Sequence, residues 1–369
     1  MLKEVPREEV ARLVALFESK GALRVGAAVL QSADTLLDLY GEDIRARAYV
    51  THDPMRGELM LRPDFTVPVV QMHMAEGQEP ARYCYAGTVF RMQEEDTGRA
   101  SEFEQVGYEL FDRGNRAAAD AEVFALIASA LEGRGLRAAM GDIGVLRAAV
   151  EGLSTTPERK GALMRHLWRP RRFRALLERF GGRVAPAPSR AALLKRLENE
   201  PAEQVLATAG VMMGKRSPDE VLARMARLKA DAAAPSISDT EMGLLDDLLG
   251  VRAAPADALA HLRDLSVDLP AILPALDALA RRFDALADAG IDLAALEFEA
   301  SYGRTSMEYY DGFVFGFYAP QRPDLPPVAS GGRYDALCRV LGQGREIPAV
   351  GAVIRPALLA EIAAGEAGR

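Results

Sequence analysis

Apolar and polar residues alternate over two neighbouring runs, Arg82 to Arg91 and Glu102 to Phe111, and the polar stretch between them contains Thr97, Gly98 and Arg99. This pattern predicts an antiparallel strand pair. Tyr83, Tyr85, Gly87, Val89 and Arg91 share one face of the first strand, and Gln105, Gly107 and Glu109 share one face of the second. Gly107 removes a side chain between an amide and a carboxylate, which leaves room for a small ligand on the sheet. An interior face carrying Arg, Gln and Glu is costly unless a partner satisfies them, and a zwitterion is the simplest partner. A solvated face satisfies the same residues, so the pattern alone leaves both readings open.

Other segments follow different periods. Val10, Leu13, Val14 and Phe17 form one stripe of a helix predicted over Glu4 to Lys20, with Pro6 in its first turn and Gly21 at its end. Strands, short turns and an Ala-rich helix from Ala117 to Leu131 are expected between Glu58 and Asp142. From about Thr155 to Gly290 the pattern is helical: SRAALLKRLEN, SPDEVLARMARLKADA and LPAILPALDALARRFDALADAG space apolar residues by three and four. Strands resume with LEFEA at Leu296 and MEYYDGFVFGFY, then a Gly-rich turn ASGGRYDALCRVLG, and end in a strand and helix from Ile347 to Ile362. Strands, helices and strands again predict an α+β sheet domain with a helical insertion. The expected division is 1–153 and 291–369 for the two parts of the core and 154–290 for the insertion.

The chain has 369 residues, enough for two domains, and its 49% apolar and 27% charged content is that of a soluble globular protein. No apolar run reaches the length of a membrane span and the N-terminus carries no secretory pattern, so a cytoplasmic protein is expected. Cys84 and Cys338 stand far apart, which excludes a CxxC metal site, and the four histidines show no zinc-ligand spacing. No cofactor is expected. A net charge of −8 disfavours a large phosphate-backbone contact.

Three further stretches carry chemistry. Gly331 and Gly332 in ASGGRYD would let backbone amides approach a ligand, although a tight turn explains them equally well. Tyr310, Gly312, Val314 and Gly316 share a strand face, and a tyrosine above two glycines makes a cavity with a polar tip, unless close packing accounts for the glycines. RHLWRPRRFR, Arg165 to Arg174, interleaves Trp168 and Phe173 among cations. Base stacking is one use of such a run, but Pro170 and the usual fate of charge runs favour a protein contact.

LRPDFTVPV at Leu61 to Val69, the strand pair, EYYDGFVFG at Glu308 to Gly316, and ASGGRYDALCRVLG followed by IPAVG together resemble, in the same order, the catalytic core of histidyl-tRNA synthetases. The resemblance spans roughly the first 130 and last 75 residues. It implies the antiparallel class II aminoacyl-tRNA synthetase sheet and self-association as a homodimer. It also implies that Asp64 (a Glu in that family), Thr66 and Gln105 receive the amino group of histidine, and that Arg91 faces its carboxylate or the adenylate phosphate. Glu109 and Tyr310 would hold the imidazole, with Tyr309, Ser330, Gly331 and Gly332 lining the pocket.

The phosphate-handling half departs from the family. Gln93 stands where a Glu helps to hold ATP, Ser101 where an Arg precedes the Glu-Phe pair, and Thr305 where the catalytic Arg lies, with Arg304 adjacent. Arg355 is displaced from the last ATP-binding arginine. Losing one such electrostatic group costs about 10²–10³ in rate. The 13 residues after Pro356 are too few for an anticodon-binding domain, which needs at least about 50. Over its whole length the sequence resembles the regulatory subunits of ATP phosphoribosyltransferase, synthetase-like chains that lack that domain. This resemblance implies no catalysis by the chain itself, a short-form catalytic partner in a hetero-octamer with four of each subunit, and histidine as effector of the first step of histidine biosynthesis. The alternatives are a stand-alone amino-acid adenylating enzyme, with Arg304 and Arg99 compensating for the missing cations, and an RNA-binding relic using Arg165 to Arg174. No membrane or nucleic-acid partner is expected.

Overall fold

The computed structural model describes residues 7–34, 48–93, 100–210, 216–304 and 309–367. Of the positions singled out in the sequence, Glu4, Pro6, Thr97, Gly98, Arg99, Thr305, Met307 and Glu308 lie outside the described residues. The strands are β1 (Leu23–Arg24), β2 (Leu30–Ser32), β3 (Val50–Asp53), β4 (Gly57–Leu61), β5 (Ala81–Phe90) and β6 (Glu102–Phe111). They continue with β7 (Arg137–Asp142), β8 (Arg252–Ala253), β9 (Glu297–Glu299), β10 (Phe313–Tyr318), β11 (Ala329–Arg333) and β12 (Ala349–Ile354).

Nine of them form one sheet in the order β1-β5-β6-β12-β11-β10-β7-β9-β8, and β2-β4-β3 form a second. The six central strands from β5 to β7 pair antiparallel, as the alternation predicts. The sheet is not antiparallel throughout: β1 joins β5 and β9 joins β7 in parallel. Two other expectations are corrected. ASGGR is no turn but a central strand, β11, between β10 and β12. Its glycines are needed because a Cβ on Gly331 would meet Ala352 Cβ and the Phe315 ring at 2.6 Å. The expected strand from Met307 begins only at Phe313, so Tyr310 precedes it.

Helices close both faces. On one, Phe17 of helix 7–19 packs edge-on against Tyr108 at 5.5 Å, and Phe124 of helix 116–130 meets Phe315 at 5.1 Å and Phe317 at 5.4 Å. Burying one such ring stabilises by about 1.5–3 kcal/mol, so these contacts fix the helices to the sheet. On the other, helix 66–76 stacks His73 on Phe111 at 4.0 Å. Every residue of β6 from Gln105 to Phe111 is therefore buried, and the solvated reading of the Gln105–Glu109 face fails.

The helical stretch packs in two ways. Helices 157–164, 170–180, 239–250, 255–265 and 273–288 contribute to the same apolar core as the sheet, through Leu163, Leu177, Leu245, Leu262 and Leu279. Helices 188–199, 202–207 and 218–233 instead bury Leu197, Val205 and Met225 in a small cluster of their own. Capping boxes at Ser217–Glu220 and Ser238–Glu241 set two of the starts, satisfying amides that a helix leaves free.

Helix 273–288 is also tied to the core by buried charge. Arg282 donates to Asp120 at 2.7 Å and to Asp142 at 2.5 Å, while Arg333 of β11 donates to Asp120 at 2.7 Å and to Asp335 at 2.9 Å.

Candidate functional site

Gln105 and Glu109 point to the face of β6 under helix 66–76, and the neighbouring strands supply the rest of a cavity. Asp64, Thr66, Arg91, Gln105, Glu109, Tyr309, Tyr310 and Ser330 line it together with Gly351, Ala352, Val353 and Arg355. It is narrow and opens to solvent. Eight of the ten residues named from the sequence thus meet in one place, and Gly332 is not among the lining residues. Gly331 does not line it. On a strand, successive residues face opposite sides, and Gly331 faces Phe315 while Gly332 lies beside Tyr310, 2.8 Å from where its Cβ would be.

Local structure explains each placement. Arg62 lies over the Phe65 ring at 4.0 Å and donates to Thr88 O at 2.8 Å and Ala27 O at 2.5 Å, which anchors the segment presenting Asp64 and Thr66. Phe65 stacks on Tyr85 at 4.4 Å. The gap at Gly107 is not ligand space: Tyr85 pairs opposite it, and its ring occupies the volume a Cβ would need. The gap at Gly316 is likewise filled, by the hydroxyl of Tyr302, so the cavity expected over Tyr310, Gly312 and Gly316 does not form. Glu109 sits opposite Gly351, where a Cβ would overlap its Oε2.

Three hydroxyls enclose the Glu109 carboxylate. Thr66 and Tyr85 each donate to Oε1 at 2.9 Å, and Tyr334 donates to Oε2 at 2.5 Å. Burial pushes the Glu109 carboxyl up to about 7, against these three donors, which hold it down, and with nearby Asp64 adding to the rise. Burial also raises the Tyr310 phenol, which stays neutral and able to donate.

Gln105 differs from its neighbours. Its side chain is 0% exposed, and neither its Nε2 nor its Oε1 has a hydrogen-bond partner. A buried amide left in this state costs about 1–3 kcal/mol. One donor and one acceptor therefore await a group that both accepts and donates.

Beyond Gln105 lie two cations. Arg91 donates from Nε to Pro63 O at 3.0 Å, and Arg355 donates to Pro327 O at 2.6 Å and Ser330 Oγ at 3.3 Å. Burial, reinforced by Arg91, lowers Arg355 to about 10, still protonated at neutral pH. Glu109 and Gln105 are four residues apart, about 13 Å along a strand. The cavity is thus polarised, with Asp64 and Glu109 toward one end and Arg91 and Arg355 at the other.

Sequence reasoning missed three residues here. Tyr85 was placed on the correct face, but only the register opposite Gly107 brings its hydroxyl to Glu109. Tyr334 follows the GGR glycines and turns back from the end of β11. Arg355 continues the odd-numbered face of Gly351 and Val353 past the end of β12, a parity that was there to be read.

Other candidates lie elsewhere. Arg304 is buried over the Phe173 ring at 4.8 Å and donates to Leu167 O at 2.9 Å, outside the cavity. In the basic stretch, Leu167 and Phe173 are core residues, Trp168 packs against that core, and Arg174 pairs with Asp246, so its aromatic rings are not presented for stacking. Among the described residues, no three His, Cys, Asp or Glu side chains cluster as a metal site would require, and no helix is long and apolar enough to cross a membrane.

Known proteins carry the same arrangement of chain. The family model described as histidyl-tRNA synthetase matches residues 4–238 and 220–358. The ATP phosphoribosyltransferase regulatory subunit of Agrobacterium fabrum is 34% identical over 363 residues, 93% of this chain and 94% of that protein. The protein of the same name from Rhizobium meliloti is 33% identical over 92% of each. Among solved structures, an ATP phosphoribosyltransferase regulatory subunit/histidyl-tRNA synthetase from Bacillus halodurans aligns with a TM-score of 0.66 at 22% identity, covering 96% of this chain and 78% of that one. Histidyl-tRNA synthetase from Nostoc sp. aligns with a TM-score of 0.64 at 16% identity, over 98% and 72%. The last two establish the fold, a class II synthetase-like sheet, and the full-length identity of the first two establishes the kinship: this chain belongs to the family of ATP phosphoribosyltransferase regulatory subunits, within the histidyl-tRNA synthetase-like proteins.

Proposed function

We propose that this chain is a non-catalytic regulatory subunit of ATP phosphoribosyltransferase that binds histidine in the cavity and conveys feedback inhibition of the first step of histidine biosynthesis. The observation that carries the histidine site is the unpartnered amide of Gln105. An α-amino acid is the smallest biological ligand whose ammonium donates to Oε1 while its carboxylate accepts from Nε2. Asp64 supplies the countercharge for the ammonium, and Arg91 and Arg355 supply a planar or paired cationic seat for the carboxylate. Histidine fits the far end because its ring N–H groups suit the carboxylate of Glu109 and the phenol of Tyr310. A side chain without a ring N–H gains neither of these bonds and binds less tightly.

Family membership supports a catalytic partner; that this partner is a short-form subunit in a hetero-octamer of four and four, with this chain self-associating as a homodimer, is part of the proposal. Regulation requires that histidine bind one conformation of the assembly better than another. Arg304, packed on Phe173 and away from the cavity, weighs against amino-acid adenylation by the chain itself.

The test is calorimetric titration of histidine into the full-length protein, followed by rates of a short-form phosphoribosyltransferase with and without this chain and histidine. Saturable heat and a histidine-dependent rate only in the assembled complex are expected. No binding, or a catalytic subunit indifferent to this chain, refutes the proposal. Formation of histidyl-adenylate from ATP and histidine refutes the non-catalytic part.

A further inference from the structure

The face of the sheet opposite the cavity carries a wide cleft, open to solvent, whose lining shares no residue with the proposed histidine site. Its walls are the starts of helices 116–130 and 143–152, one side of helix 273–288, and residues around Arg333 and Arg339. Six arginines and five carboxylates line it, in a chain whose net charge is −8. The local balance is therefore cationic against the trend of the molecule.

These arginines are not equivalent. Arg282 and Arg333 form the floor and are saturated by Asp120, Asp142 and Asp335. Arg116 and Arg339 share one exposed carboxylate, Glu346, at 3.6 and 3.3 Å. Arg147 and Arg281 form no close ion pair and no side-chain hydrogen bond among the described residues, although Arg147 is half-buried and its charge acts across the cleft on the buried Asp311 carboxyl. Small residues, Gly114, Ala275 and Ala278, leave the space before them open.

The position of Arg116 is also unfavourable in an empty cleft. Arg116 opens helix 116–130, where the helix dipole favours negative charge, and that helix has no acid in its first turn. The cap does not change this, because the neutral Asn115 occupies the first amides. A multiply charged anion seated among the arginines removes both costs at once. Guanidinium forks match the tetrahedral oxygens of phosphate better than they match a chloride or a single carboxylate.

We propose that this cleft binds the phosphate group of a small-molecule ligand, held by Arg147 and Arg281 with Arg116 and Arg339 at its rim. Inorganic phosphate, pyrophosphate and glucose 6-phosphate serve as probes, titrated into the full-length protein at constant ionic strength. The comparison is with an Arg147→Ala/Arg281→Ala variant, whose fold is checked by circular dichroism. Saturable binding by the parent and at least about a hundredfold weaker binding by the variant, roughly tenfold per arginine, is the expected result. A tighter response to glucose 6-phosphate than to inorganic phosphate supports an ester as occupant, and the reverse supports the free anion. Equal affinity of parent and variant, or no saturable binding of any probe, overturns the site. Binding of a polyglutamate peptide with all three phosphates silent also overturns it, in favour of a protein-docking surface.

Discussion

Gln105 sets stability against binding. Its amide is buried with both polar atoms unmatched, so Gln105→Leu, close in volume and without polar atoms, is expected to raise stability by about 1–2 kcal/mol in urea denaturation while weakening histidine binding by more than tenfold. A variant that loses stability and keeps its affinity contradicts the assignment. Glu109 makes the complementary prediction about pH. Its carboxyl is raised in the fold to about 7, so the native state holds this proton more firmly than the unfolded chain does. Stability from this group is then full below the unfolded carboxyl range and is lost as pH rises toward and through 7, by at most about 3 kcal/mol. Urea midpoints at pH 5 and pH 8 are expected to show this contribution in the parent and not in Glu109→Gln. The polar face of β6 was legible from its alternation alone. What alternation does not encode is the register that puts Tyr85 over Gly107, or the reach of Tyr334, because both depend on which strands become neighbours.

At the scale of elements, β11 shows how a glycine pair misleads. Gly331 and Gly332 read as a turn, yet they are extended and paired on both sides, and each is required because a ring lies where its side chain would go. Periodicity reports the local chain and is silent about close approach from another strand. Gly351→Ala tests the same idea where it bears on the site: the added methyl overlaps Glu109 Oε2. Destabilisation by about 1–3 kcal/mol, with loss of histidine binding, is expected from thermal unfolding and calorimetry. The helices were easier to read, since capping residues and apolar spacing suffice to predict them. Their attachment was not, because Arg282 and Asp120 are 162 residues apart. Removing Asp120 as Asp120→Ala leaves two buried arginines short of a countercharge and should cost about 3–5 kcal/mol in urea denaturation, far more than a surface pair.

For the molecule as a whole, the proposed coupling between histidine and the catalytic partner would be a free energy shared by both events. A typical value of about 1–3 kcal/mol gives roughly 5- to 150-fold modulation, and the same factor must appear in reverse, as a change in histidine affinity on adding the partner. Calorimetry with and without the catalytic subunit measures it, and identical affinities mean that the two events are not linked. Which surface receives the partner was not legible in the sequence, since a surface has no periodicity of its own. The hydroxyls around Glu109 come from both sides of the helical stretch: Thr66 and Tyr85 precede it, and Tyr334, 225 residues beyond Glu109, follows it. The carboxylate therefore acts as a clasp between arms that the chain reaches only after its long helical detour. The small cluster around Leu197 and Met225 in that detour contains none of the clasp's residues. A guest that borrows an oxygen of Glu109 is thus felt by both arms together, by the shortest route the molecule offers.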